Sequence, residues 1–326
     1  MKCRLFLGLS LAIASIACGR REAEAKRELP KVRISVSHLL TWGPIMIANA
    51  EGFFRDEGVE VEYVNALSGQ EDLVALVTGD LDVMSGPTHA AFLSAIDQGA
   101  KIKIVAGQGF LARDGCTFFG VVRRRDLAPD SSIRRLRASR DGLTRFITER
   151  MLEGVGVDTK KLDVMRVPDA VTVRSLESGS IDAVASGEPT LTRLKSVGPL
   201  WLAAEKAVPD FQWGTIAFGE RLLYKDRDTG TRFLRAYSRG VAQYLQGKTD
   251  RNVAIIAKET GDTPDLIRKA CWLPFRSDLR VNWQSVEEFQ AWAKKEGLVQ
   301  HLLSRDQAMD TTFLSTNFPR STAPTQ

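Results

Sequence analysis

The chain has 326 residues, 44% hydrophobic and 26% charged, which is too long for one ordinary core and fits a soluble protein of two domains. Lys and Arg number 45 against 40 Asp and Glu, a formal net charge of +5, part of which sits in Lys2 and Arg4. The nearly balanced remainder argues against a nucleic-acid binder.

Residues 1–17 read as a secretory signal. Lys2 and Arg4 form a basic start, and Leu5 to Ala17 is an apolar stretch. That stretch falls short of the about 20 apolar residues needed to span a bilayer. Residues 18–30 lack apolar periodicity and read as a charged tether.

From Lys31 the pattern becomes regular. Val32, Ile34 and Val36 alternate with Arg33, Ser35 and Ser37, which predicts a strand. Gly43-Pro44 opens a helix, since proline suits a first helical turn. An extended run follows Gly58, with Val59, Val61 and Tyr63 on one face. Helix Glu71 to Thr78, strand Leu81 to Met84, helix Thr88 to Gln98 and strand Ile102 to Ala106 come next. Cys116 to Val122 reads as a strand crossing into a second lobe.

The second lobe alternates likewise. Strands are predicted near 133–138, 162–167, 181–186 and 200–203, and helices over 143–153, 170–178 and 190–197. Trp213 to Phe218 reads as a second crossing, back to the first lobe. The rest is helical, with Thr263 as an N-cap before Pro264 and a capping box formed by Ser285 and Glu288. Residues 315–326 read as a disordered tail. Strand and helix in alternation predict an α/β fold with mostly parallel sheets.

One phrase occurs twice. Leu76-Val77-Thr78-Gly79-Asp80-Leu81-Asp82-Val83 is matched by Leu176-Glu177-Ser178-Gly179-Ser180-Ile181-Asp182-Ala183. A turn with proline follows each copy, at Ser85-Gly86-Pro87 and at Ser186-Gly187-Glu188-Pro189. Each copy spells a helix ending at a glycine, a short strand and a turn into another helix. Two such pieces imply two lobes of one build, with a ligand cleft between them.

Metal and nucleophile signals are sparse. His38, His89 and His301 lie far apart in sequence, so no metal site or cofactor is expected. Cys3 falls in the signal segment. The spacing of Cys116 and Cys271 gives no sign of pairing, and two buried, unpaired thiols are the expectation. No Gly-x-x-x-x-Gly-Lys-Ser/Thr loop is present, so ATP hydrolysis is not expected of this chain.

Two resemblances sharpen this reading. Ser15-Ile16-Ala17-Cys18 resembles the bacterial lipobox, with Ser15 where leucine is usual. It implies that Cys18 receives lipid and becomes the new N-terminus; ordinary cleavage after Ala17 remains the alternative. Trp42-Gly43-Pro44 and the block Ala50-Glu51-Gly52-Phe53-Phe54-Arg55-Asp56-Glu57-Gly58-Val59-Glu60-Val61 resemble the solute-binding proteins of ABC importers. The branch is the one with sulfonate, taurine, nitrate and thiamine-pyrimidine binders. The repeated phrase and Gly297-Leu298-Val299 fit the same family, over about residues 31 to 305.

The resemblance implies a two-lobed fold like that of type II periplasmic binding proteins, with two crossover strands. Lobe I is expected at 31–118 and 215–314, and lobe II at 119–214. It further implies an exported, lipid-anchored, monomeric protein at the outer face of the cytoplasmic membrane or in the periplasm. Its partners would be a permease and a separate ATPase. The alternative is an enzyme on the same fold, resembling thiamine-pyrimidine synthases or desulfinases, with His89 or Cys116 as its reactive group.

In open α/β sheets the crevice lies beyond the strand C-termini, where helix N-termini offer free N–H groups. The candidate ligand residues there are Trp42, Gly43, Ser68, Gly69, Gln70, Pro87, Thr88, His89, Arg140, Thr144 and Glu188, with Trp213 at the second crossing. Trp42 either stacks on a planar ligand or lids the first core. Glu188 suits a helix N-terminus in any case. The resemblance to thiamine-pyrimidine binders gives it a second role, facing an amine donor. Arg140 stands in Ser139-Arg140-Asp141-Gly142, where the family usually has a glycine-serine phrase, which weakens the expectation of a sulfonate or phosphate site of the usual form.

Overall fold

The structure is a computed structural model that describes residues 28–37, 39–65, 69–127, 132–140 and 142–317. The signal segment, Cys18, Ser68 and most of the tether lie outside the described residues.

The first part of the chain forms β1 Lys31–Val36, α1 Gly43–Ala50, α2 Phe53–Asp56, β2 Glu60–Asn65, α3 Gly69–Thr78, β3 Val83–Pro87, α4 Ala90–Asp97 and β4 Lys103–Leu111. The middle forms β5 Phe119–Arg123, β6 Arg135–Arg137, α5 Gly142–Glu153, β7 Asp163–Met165, α6 Asp169–Glu177, β8 Ala183–Gly187, α7 Thr190–Val197, β9 Leu200–Ala203 and α8 Ala204–Ala207. Then come β10 Phe211–Phe218, α9 Arg227–Tyr244, α10 Asp250–Thr260, α11 Pro264–Lys269, α12 Trp283–Lys295, α13 Arg305–Ala308 and α14 Thr312–Asn317.

These strands make two sheets of one plan, ordered β2-β1-β3-β10-β4 and β7-β6-β8-β5-β9. In the first, β1 runs parallel to β2 and β3, and β10 runs antiparallel to β3 and β4. In the second, β6 runs parallel to β7 and β8, and β5 runs antiparallel to β8 and β9. Helical crossovers generate the parallel part. The antiparallel strand in each sheet is the one that arrives from the other sheet. The chain leaves the first sheet after Leu111 and returns at Phe211, directly opposite it. Cys116 to Phe118, expected in strand, form the outgoing passage instead. β10 belongs to the first sheet throughout its length.

The repeated phrase has a common structural cause. Asp82 Oδ2 accepts from the Arg33 N–H at 2.9 Å, and Arg221 Nε donates to its Oδ1 at 2.8 Å. Asp182 Oδ2 accepts from the Arg134 and Arg135 N–H groups at 3.0 and 2.8 Å, and Arg135 Nη2 donates to its Oδ1 at 2.8 Å. Each aspartate precedes a strand and satisfies amides at the start of its parallel neighbour.

Burial works to raise the Asp182 pKa, but the Arg135 side chain and the two backbone donors win and hold it below the ordinary carboxylate range. A depressed carboxylate stabilises the fold above its unfolded pKa of about 3.9, and the contribution fades as pH falls through the lower folded value. Asp182→Asn is therefore expected to cost about 1–3 kcal/mol at pH 7. It should also flatten the loss of stability below about pH 4. Urea unfolding across pH 2.5–7 measures both.

One large core runs through the first sheet, its helices and the inner side of the second sheet. A smaller cluster, Val122, Leu176, Ile181, Val184, Leu191 and Leu194, lies under α6 and α7. Phe146 of α5 packs against Phe211, Phe289 and Trp292, so aromatic contacts bridge the two halves. α9 buries Phe233, Leu234, Tyr237, Val241 and Tyr244. It crosses α1 at Gly240, where a Cβ would stand 2.2 Å from the Pro44 carbonyl oxygen. Gly240→Ala is expected to destabilise by about 1–3 kcal/mol through overpacking, read by thermal denaturation.

Three further expectations differ from the fold. Cys116 and Cys271 form a disulfide, with Cα atoms 5.6 Å apart. Sequence spacing carried no sign of it because the outgoing passage and the end of α11 meet only in the fold. Ser285 and Glu288 do not form a capping box. α12 begins at Trp283, and the Ser285 hydroxyl accepts from the Gln212 N–H at 3.0 Å. A capping box occurs instead at Ser304 and Gln307, opening α13. Residues 315–317, expected in a disordered tail, belong to α14, and those beyond lie outside the described residues. Among the described residues no helix is long and apolar enough to cross a membrane. No metal-binding group of three or more His, Cys, Asp or Glu is present among them either.

Candidate functional site

A cavity of about 220 Å³ opens where the two sheets face each other. Its walls come from residues at or just past the C-terminal ends of parallel strands: Leu39, Thr41 and Trp42 after β1, Pro87 of β3, Arg137 and Ser139 of β6 and its exit, and Ala185 to Glu188 of β8 and its turn. Thr144 and Thr190 add the first turns of α5 and α7. Phe118 comes from the outgoing passage, Phe119 from the start of β5 and Trp213 from β10. This is the crevice expected of open α/β sheets.

Two tryptophans shape it. Trp42 is 6% exposed, and its Nε1 donates to Ser85 Oγ at 2.7 Å, which fixes the indole against β3. Gly86, at φ +138°, leaves room there; a Cβ would lie 3.2 Å from the ring. Trp213 meets Phe118 edge-on at 5.1 Å between centroids and Phe119 at 5.4 Å. These three rings make an apolar wall.

Polar groups are few and placed around it. Arg137 is half-buried, with Nη1 3.3 Å from the Ala185 carbonyl oxygen. Thr41 is 2% exposed, and its hydroxyl has no hydrogen-bond partner among the described residues. Glu188 lines the cavity, yet both its oxygens bond to protein. Thr192 N and Oγ1 donate to it at 3.0 and 2.8 Å, the Cys271 N–H donates at 3.2 Å, and Lys195 Nζ stands 3.6 Å away.

Behind the wall, Glu205 Oε1 accepts from the Phe118 N–H at 2.6 Å. Burial pushes the Glu205 carboxyl above the ordinary carboxylate range, against that hydrogen bond, and the nearby Glu188 charge adds to the rise.

Of the residues singled out from sequence, Trp42, Pro87, Thr144, Glu188 and Trp213 line this cavity. Gly43, Gly69, Gln70, Thr88, His89 and Arg140 do not. Gly43 packs on Tyr244, where a Cβ would be 2.7 Å from the ring. Thr88 is buried and Gln70 exposed. His89 stands between the starts of α3 and α5; a Cβ at Gly69 would lie 2.6 Å from its Nε2, and one at Gly142 3.1 Å from its Nδ1. Arg140 turns away and donates through Nε to the Val164 carbonyl at 3.1 Å, lining a separate pocket of about 240 Å³. Phe118 and Phe119 were not singled out from sequence, because they read only as part of the crossing strand Cys116 to Val122. Nor was Arg137, which the basic stretch around it hid.

The comparisons with known proteins agree with this architecture. The chain is 23% identical to the Bacillus subtilis protein YtlA over 266 residues, 78% of this chain and 76% of that protein. Its fold is similar to the ligand-binding component of an ABC-type import system from Staphylococcus aureus, at TM-score 0.73 and 14% identity, covering 88% of this chain and 99% of that one. It is also similar to the periplasmic aliphatic sulphonate binding protein SsuA of Escherichia coli, at TM-score 0.68 and 15% identity, covering 92% and 96%. The desulfurization enzyme DSZB shares the fold at TM-score 0.62 and 13% identity, covering 88% and 98%. The family model described as NMT1/THI5 like matches residues 41–248, and the chain belongs to that family.

Proposed function

We propose that this protein is an extracytoplasmic solute-binding protein, which captures a small organic molecule in the cleft and delivers it to an ABC import permease. The observation that carries the reading is the cavity itself. Both sheets contribute to it at the ends where helices start, with an aromatic wall from the outgoing passage, β5 and β10, and a guanidinium among the lining residues. Such a site grips a flat or apolar body and an anionic or polar head. The Thr41 hydroxyl and the positive charge of Arg137, whose Nε and Nη1 donate to the Val167 and Ala185 carbonyls, suit a sulfonate-like or carboxylate head. The aminopyrimidine alternative relies on Glu188, whose oxygens already accept bonds from Thr192 and Cys271. Export by residues 1–17 and lipid at Cys18 belong to the same proposal; labelled palmitate should enter the wild-type protein and not Cys18→Ser.

The enzyme reading needs a reactive group in the cleft. Cys116 is bonded to Cys271 and offers no thiolate, and His89 does not line the cavity. A thermal-shift panel of alkyl and aryl sulfonates, nitrate, carboxylates and aminopyrimidines tests the binding reading. A ligand at a hundred times its dissociation constant adds about 2.7 kcal/mol, a shift of roughly 5 °C. A flat panel would count against solute capture by this cleft.

A further inference from the structure

Phe118, in the aromatic wall, has its backbone held on both sides. Its N–H donates to Glu205, and its carbonyl oxygen accepts from the Glu188 N–H at 3.0 Å. Glu188 Oε1 then accepts from the Cys271 N–H, and Cys271 is bonded through sulfur to Cys116, two residues before Phe118. These links close a ring through three pieces of the fold. They are the outgoing passage, the turn between β8 and α7, and the segment after α11, which packs on the first-sheet side through the Tyr244 hydroxyl to the Leu273 carbonyl.

Within the ring the bonds differ in kind. The disulfide is covalent. The Phe118–Glu188 bond extends the β5–β8 ladder past its end, within the second sheet. The Glu188–Cys271 bond alone is both non-covalent and reaches from the second sheet to the first-sheet side. An opening that carries β8 away from the segment after α11 breaks it. The other partners of the carboxylate, Thr192 and Lys195, sit on α7 and travel with it. The charge therefore keeps its partners when the cleft opens, and the bond can be remade without burying a bare carboxylate.

We propose that Glu188 is a positioning residue that latches the cleft shut, with the disulfide holding the Cys271 amide within its reach. This rests on the reading of the cavity as a solute cleft, and its role is closure. Arg193–Asp262 and Arg145–Glu296 are further ion pairs across the same divide, on side chains that are 12–43% exposed. The Glu188 side chain is 0% exposed, which sets its contact apart from theirs.

The test uses the ligand-free full chain. Glu188→Asp keeps the charge but withdraws one methylene of reach from Cys271, and from Thr192 and Lys195, which share the same oxygen. It should raise the radius of gyration in small-angle scattering and speed exchange of the Cys271 amide by at least about tenfold. Thr192→Val, which removes a partner on α7 only, should leave both near wild type. Cys116→Ser with Cys271→Ser should reproduce the open form. A folded Glu188→Asp with wild-type scattering and wild-type exchange overturns the latch. If Glu188→Asp does not fold, Glu188→Met, of similar reach but with no oxygen to accept the Cys271 N–H, decides by the same two readouts, unchanged values again overturning it. None of these measurements uses a solute, so a failed latch leaves the solute reading standing. A flat ligand panel leaves the latch standing in turn.

Discussion

The protein with Cys116 and Cys271 both replaced by serine is expected to melt roughly 4–10 °C below wild type. The bond closes a loop across 155 residues of sequence, spanning the whole second sheet and much of the helical remainder. Chain entropy gives a cross-link of that span about 5 kcal/mol at most, and native disulfides typically contribute about 2–5 kcal/mol. The loss should appear equally when wild type is melted in reductant, and reductant should not move the double variant further. Scanning calorimetry with and without a thiol distinguishes these cases. An unchanged midpoint in both would mean that the passage is held without the bond, and the role given to it here would fail.

Trp213→Ala is expected to cost about 3–5 kcal/mol and to abolish solute binding. The indole is 5% exposed and braced by Phe118 and Phe119, so truncation leaves a void behind the wall and removes support from the two rings that line the cavity beside it. Trp213→Phe should recover most of the stability and only part of the binding. Val74→Ala, at a side chain 59% exposed on α3, should change neither. Thermal denaturation and titration of the best panel ligand, below the variant's melting range, read the two effects separately.

Much of the architecture was legible because it is local. The alternation of Val32, Ile34 and Val36 and the Gly43-Pro44 start need only their neighbours in sequence. The two copies of the Gly-x-x-Asp phrase foretold two sheets of one plan. Asp82 and Asp182 recur because each satisfies amides of the next parallel strand. Trp42, Pro87, Thr144 and Glu188 were found by the same logic, since they follow strand ends.

What escaped was tertiary. The Cys116–Cys271 bond and the Glu205–Phe118 contact join segments 155 and 87 residues apart. Ser285-x-x-Glu288 matches a capping box as well as Ser304-x-x-Gln307 does. Gln212 decides between them: its N–H takes the Ser285 hydroxyl and its side-chain oxygen takes the Asn282 N–H, so α12 starts earlier. Arg140 and Arg137 lie three residues apart in one basic stretch, and only the strand register shows which one faces the cleft.

The central claim is that the cleft holds a small molecule and leaves it unaltered. Equilibrium dialysis of the best panel ligand, followed by mass analysis of what is recovered, tests it most directly. One molecule should be bound per chain, lost in Trp213→Ala and recovered unchanged. Recovery of a chemically altered compound, or binding indifferent to Trp213, would contradict the claim.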